Sequence, residues 1–203
     1  WTSSINRVLY VDDEPGLLEI GKLFLEDSGT FAVDTSPSAP DALERLGSVQ
    51  YDAIVSDFEM PKMNGITFLK RLREQGNTTP FIIFTGRGRE DVVIEALNSG
   101  ADFYLQKGGD PTAQYAELAH KIHHAISRKQ ADLALKKSEQ DYRHLIEHAS
   151  EAIFVTQDEV FKLINPKLIE DSGFSGEELL DHPISRFIHP DDAPPLLENF
   201  QNR

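Results

Sequence analysis

Along the first two-thirds of the chain, short apolar runs alternate with stretches whose apolar residues recur at helical spacing. Ile5–Val11 (INRVLYV) gives way to Asp12-Asp13-Glu14-Pro15. Pro15 suits a first helical turn, and Leu17, Leu18, Gly21, Phe24 and Leu25 share one face of a helix that stops near Ser28-Gly29. Phe31–Thr35 reads as a second strand, and Ser38 starts a helix through Ala42, Leu43 and Leu46. Asp52–Asp57 is the third strand, with Ile66, Leu69 and Leu72 marking the helix after it. Pro80–Thr85 is the fourth, its proline at the first position, where a missing N–H is tolerated. Val93, Ala96 and Leu97 form a helix ending at Gly100; Asp102–Lys107 is the fifth strand, and a helix begins near Thr112. Runs of this length bounded by turn formers are buried strands. Five of them alternating with five helices predict an α/β fold, a doubly wound five-stranded parallel sheet with helices on both faces.

In such a sheet ligands bind at the carboxyl ends of the strands, beside the point where strand order reverses. With order 2-1-3-4-5 that point lies between the first and third strands. Asp12 and Asp13 end the first strand, Asp57 the third, Thr85 the fourth and Lys107 the fifth. One rim therefore gathers three acids, a hydroxyl and an ammonium, a convergence that loop capping alone does not explain. Two carboxylates about 4 Å apart repel by roughly 4 kcal/mol at the effective dielectric of a protein surface. Three of them call for protons or a cation. Oxygen-only ligands with room for water and a phosphate oxygen suit Mg²⁺ best, with Mn²⁺ or Ca²⁺ as substitutes. A metal-bound acid beside a lysine points to chemistry on a phosphoryl group.

Composition narrows the partners. The chain has 203 residues, 39% of them hydrophobic, so a sizeable core is expected. Net charge is −14, and residues 1–128 and 129–203 each contribute −7. No basic arm is segregated for nucleic acid or anionic lipid, so neither DNA nor a membrane surface is an expected partner. No apolar run reaches membrane-spanning length and no signal peptide is visible, which makes a cytoplasmic location the expectation. Without cysteine there is no disulfide, thiolate metal site or thiol nucleophile. A chain starting at Trp1 in place of Met is expected of a piece of a longer protein.

Residues 5–128 resemble a two-component response-regulator receiver domain, whose sheet has the flavodoxin-like order 2-1-3-4-5. The matching residues are Asp12-Asp13, Asp57 within D-F-E-M-P-x-M-x-G, Thr85-Gly86, and Lys107 preceded by Tyr104. The resemblance implies that Asp57 accepts phosphate from a phosphohistidine on a sensor histidine kinase or phosphotransfer protein. It implies that Asp12, Asp13 and Asp57 hold Mg²⁺ with the backbone carbonyl of Glu59, and that Lys107 pairs with the phosphoryl group. Thr85 would move to bond that group while Tyr104 turns inward. Such a domain promotes its own phosphorylation and slow dephosphorylation without being a turnover enzyme. Glu59 and Arg87 would flank the path of the hydrolytic water as a gate. One departure stands out: the family usually follows the lysine with proline, often cis, whereas Gly108-Gly109 follow here. A looser or differently shaped loop is expected.

From Thr112 to Ala149 helix formers run with few breakers. Leu118, Ile122, Ala125 and Ile126 are expected to pack on the sheet, and residues 129–149 to form a helical linker. A sustained heptad is absent. His120, His123 and His124 have i, i+3, i+4 spacing but no convergent acid or thiolate, so a solvated face is the expectation. Ala152–Thr156 and Val160–Ile164 read as a hairpin around Gln157-Asp158-Glu159; Asn165-Pro166 opens a short helix, Ser175-Gly176-Glu177-Glu178 has capping-box form, and His189-Pro190-Asp191-Asp192 starts another turn. Residues 150–203 in this order resemble the first half of a PAS sensor domain, a partial α+β segment lacking the family's later strands. A homodimer is a further expectation.

Two rivals belong to other classes. A receiver fold can act as an interaction module without phosphorylation. A metal-dependent phosphatase of haloacid-dehalogenase type would place a D-x-D motif after the first strand, which Asp12-Asp13-Glu14 does not supply.

Overall fold

The computed structural model describes residues 5–86 and 90–188, except the side chains of residues 90 and 91. The chain divides between Asp132 and Leu133 into two compact units. In the first, β1 (Asn6–Val11), β2 (Phe31–Ser36), β3 (Ala53–Ser56), β4 (Phe81–Thr85) and β5 (Phe103–Gln106) form one sheet in the order β2-β1-β3-β4-β5. Every pairing is parallel, as the expected doubly wound topology requires.

Alternation along the strands sorts the core into two layers. Leu9, Val11, Ile54, Phe81 and Ile83 pack with residues of α2 (Ala39–Leu46), α3 (Gly65–Glu74) and α4 (Glu90–Asn98). Val8, Tyr10, Val55, Ile82 and Phe84 pack with Leu18 and Leu25 of α1 (Pro15–Glu26) and with Tyr115, Leu118, Ile122, Ala125 and Ile126 of α5 (Pro111–Glu147). The helices begin where local chemistry allows. Pro15 opens α1, the Ser38 side chain accepts from Asp41 N–H at α2, and Asn64 accepts from Thr67 N–H at α3.

The amino-terminal edge of the sheet is clamped by Arg73. Its guanidinium donates to the carbonyls of Asn77 (2.9 Å), Thr79 (3.0 Å) and Gly100 (3.0 Å), joining the turns before β4 and β5. Both turns feed strands that end at the opposite rim, where Thr85 and Lys107 lie.

In the second unit β6 (Phe154–Gln157) and β7 (Val160–Ile164) form a two-stranded antiparallel sheet, followed by α6 (Pro166–Ser172), α7 (Gly176–Leu179) and a 3₁₀ turn at Ile184–Arg186. Phe161, Leu179 and Ile184 are its buried centre. Asn165, fully buried, caps α6 by accepting Leu168 N–H at 3.0 Å and also accepts Ile153 N–H at 2.9 Å. Its amide donates to the carbonyls of Ile146 and Glu151. The capping box at Ser175 and Glu178 is present as the sequence predicts. The turn expected at His189–Asp192 lies outside the described residues.

Candidate functional site

The site is set by strand register. Val11, Ser56 and Thr85 are the last ladder residues of β1, β3 and β4 at one edge, and the main chain continues the pairing one step further. Asp12 N–H donates to Ser36 O at 3.1 Å, Asp57 N–H to Val11 O at 2.8 Å, and Lys107 N–H to Thr85 O at 2.7 Å. Asp12, Asp57 and Lys107 thus leave the sheet at one level with their backbones fixed.

Their side chains meet. The Lys107 ammonium donates to Asp12 Oδ2 at 2.6 Å and to Asp57 Oδ1 at 2.7 Å. Asp57 Oδ2 accepts Glu59 N–H at 2.6 Å, and Asp12 Oδ1 accepts Glu14 N–H at 3.0 Å. Asp12 and Thr85 are 1% exposed and Asp57 is 6% exposed, so these are charges and a hydroxyl taken out of bulk water. Two carboxylates share one ammonium, and the electrostatics follow. Burial pushes the Asp57 carboxyl above its ordinary pKa; the bond and charge of Lys107 oppose this, while Asp12 adds to it. Burial is the largest influence on Lys107 and lowers its pKa, but the bonds and charges of Asp12 and Asp57 outweigh it, and the net direction is up.

A cleft of about 500 Å³ opens above this trio, lined by Asp13, Glu59, Thr85, Gly108 and Gln114 together with Asp57 and Lys107. Of the eight residues singled out in the sequence, seven are described, and the structure brings six of them to one cleft or its floor. Tyr104, the seventh, is half-buried on β5 and packs against the layer formed with α2, α3 and α4. Asp13 is exposed, and the cap position of α1 falls on Glu14, not on Asp13. Arg87, the other half of the expected hydrolysis gate, lies outside the described residues.

The oxygen-only donor set suits a hard divalent cation, and the carboxylates of Asp12, Asp13 and Asp57 exceed the single ammonium in charge. Among the described residues no three acids converge closely enough in this conformation to hold a metal ion. The Lys107 ammonium bridges the two buried acids. The donor chemistry of Asp12, Asp13 and Asp57 fits Mg²⁺.

Sequence reasoning missed two contributors. Tyr10 is fully buried beside Asp12, its hydroxyl 3.5 Å from Oδ2, and it packs in the same layer as Tyr115 of α5. Burial, then Tyr115 and Asp12, push its phenol pKa up. Gln114 accepts Gly108 N–H at 2.8 Å. The only sequence signal for Gln114 is an amide side chain one turn after a Gly-Gly pair.

Residues 8–119 match the family model of the response regulator receiver domain. The chain is 36% identical over 126 residues to response regulator Rre1 of Synechocystis sp., covering 61% of this chain and 53% of that protein. It is 31% identical over 142 residues to transcriptional regulatory protein SrrA of Staphylococcus aureus, covering 70% and 56%. The chain thus spans about half the length of these curated relatives. Among solved structures, a receiver domain from Clostridium thermocellum superimposes with a TM-score of 0.56 at 30% identity, covering 62% of this chain and 98% of that one. The receiver domain of Francisella response regulator 1452 does so with 0.56 at 31%, covering 61% and 98%. A matched segment of more than half the chain, ending its strands on this constellation of acids and lysine, makes the protein a member of the response regulator receiver domain family.

Proposed function

We propose that residues 5–128 are a phospho-accepting receiver domain in which Asp57 takes a phosphoryl group from a phosphohistidine of a sensor kinase or phosphotransfer protein. The observation that carries this is the Lys107 ammonium, bonded at once to Asp12 and Asp57 at the floor of an open cleft. An Asp57 oxygen attacks phosphorus in line, and the bond from phosphorus to the donor nitrogen breaks, its electron pair leaving with the imidazole. Lys107 is placed to meet the transferred oxygens, and the Thr85 hydroxyl to bond one of them. Tyr104 then fills the space Thr85 leaves. Asp12, Asp13 and Asp57, with the Glu59 carbonyl, would hold Mg²⁺, which receiver domains generally bind and which draws charge from the phosphoryl oxygens.

Intact-mass spectrometry with acetyl phosphate and Mg²⁺ tests the reading. One phosphate should add to the parent and none to Asp57→Asn. Labelling that persists in the variant, or an unlabelled parent, overturns it.

We read residues 150–203 as the amino-terminal half of a PAS sensor domain reached through the helical residues 129–149, in a cytoplasmic signalling protein. The hairpin, the Asn165 cap and the Ser175 capping box, in that order, support this. The face of α4, β5 and α5, where Ile94 and Leu97 are exposed, is the surface through which phosphorylation would bias partner or self association.

A further inference from the structure

Lys107 is fixed on one side only by the sheet. Its N–H belongs to the ladder with Thr85, but the next two residues turn away with φ of +152° at Gly108 and +82° at Gly109. Both values lie where only glycine is comfortable, and a Cβ built on either residue meets nothing within 4 Å. The glycines are therefore required by backbone conformation and not by crowding. Two consecutive glycines also give this loop the largest conformational freedom that a chain can have. The residue carrying the ammonium is thus followed by a loop with little stiffness of its own.

Gln114 supplies the missing restraint. Asp110 caps α5 by accepting Ala113 N–H at 2.9 Å, which fixes the first turn of that helix. From that turn the Gln114 side chain reaches back over the glycines, and its Oε1 accepts Gly108 N–H at 2.8 Å. A proline after the lysine would stiffen the loop covalently and would have no N–H to satisfy. Here the stiffness comes from a side chain on a helix already anchored by Tyr115 and Leu118 in the core. The bond is near solvent and adds little to global stability. Its effect is local, on where the Lys107 stem leaves the sheet.

We propose that Gln114 is a positioning residue for Lys107: through Gly108 it holds the ammonium at the Asp12–Asp57 pair. Resting on the phospho-acceptor reading, it follows that Gln114 sets the rate at which Asp57 is phosphorylated by placing Lys107.

The full chain, Gln114→Leu, Gln114→Glu, Lys107→Ala and the double variant Gln114→Leu/Lys107→Ala decide the matter. With acetyl phosphate and Mg²⁺, Gln114→Leu should label about tenfold more slowly than the parent, and Gln114→Glu, which keeps an acceptor of the same reach, within about twofold. In the Lys107→Ala background Gln114→Leu should have no further effect, because the group it positions is gone. Equal losses in both backgrounds overturn the proposal. A second measurement does not depend on phosphorylation. In the unphosphorylated protein, ¹⁵N relaxation of the Lys107 ammonium should show larger-amplitude motion in Gln114→Leu and parent-like motion in Gln114→Glu. Unchanged ammonium order in Gln114→Leu overturns the proposal whatever the rates do. Should the parent take up no phosphate, the phospho-acceptor reading fails, and the ammonium measurement still decides the role of Gln114.

Discussion

Asp57 shows how one residue can be costly and indispensable together. A carboxyl whose pKa is raised by folding contributes stability while it is protonated, below the ordinary value of about 3.9, and loses that contribution as pH rises through the folded value. At neutral pH the ionised Asp57 is a net burden. Asp57→Asn should therefore be more stable than the parent at pH 7.5, by about 1 kcal/mol or about 2–4 °C in melting temperature. The margin should narrow as pH is lowered from 7.5 towards 4, because uptake of a proton by the parent carboxyl relieves the buried charge. Thermal unfolding at the two pH values measures both numbers. Gly65 is the complementary case. A Cβ at this position would run into the main-chain carbonyl of Asp57, which has no flexible end to give way. Gly65→Ala should cost about 1–3 kcal/mol in urea unfolding and slow Asp57 labelling, because relieving the clash shifts the acceptor itself. The glycine of D-F-E-M-P-x-M-x-G was visible in the sequence, but its reason was not. Nor does the sequence say which of Asp12 and Asp13 turns inward. Asp12 continues the ladder with Ser36 and is buried, whereas Asp13 begins the turn and is exposed.

Among the elements, the five strands and the helices between them were legible, because each is an apolar run with turn chemistry at its ends. Boundaries moved by a residue or two where a side chain competed for the backbone. The strand expected at Ala152 starts at Phe154, since Ile153 N–H is taken by the Asn165 side chain. The loop after Lys107 was expected to be unusual from Gly108-Gly109, and it is. That Gln114 would close over it was not legible, because the reach depends on a loop shape that two positive-φ glycines set. Asn165 itself was read only as the start of a helix. It satisfies two N–H groups and two carbonyls while fully buried. Asn165→Ala should destabilise the second unit by about 2–4 kcal/mol, since Ile153 N–H and the Glu151 carbonyl lose their bonds to the side chain, while Leu168 N–H keeps the Asn165 carbonyl and the Ile146 carbonyl keeps Ala149 N–H. Hydrogen exchange should accelerate over residues 146–168 and stay unchanged in β1–β5.

For the whole chain, the wiring of the first unit ties its site to α5 twice. Gln114 holds the Lys107 loop and the adjacent Tyr115 packs with Tyr10 beside Asp12. A charge-mimicking ligand on Asp57 should therefore alter hydrogen exchange across residues 90–130, with beryllofluoride and Mg²⁺ as the probe. Exchange that is unchanged there while the ligand is demonstrably bound would rule out this route, since coupling requires an element that differs between the two states.

The same helix has a second property. After Ile126 it loses its core, and residues 130–145 are exposed on every face, Leu133, Leu135, Tyr142 and Leu145 included. A helical stretch of this length with no buried face is only marginally stable in water and opens often. It also carries Lys136, Lys137 and Arg143, each followed by a residue that trypsin accepts. Brief digestion should cut between Lys136 and Arg143 ahead of the basic residues in the described part of the sheet-bearing unit. The scissile segment is thus written into the fold as the place where packing stops.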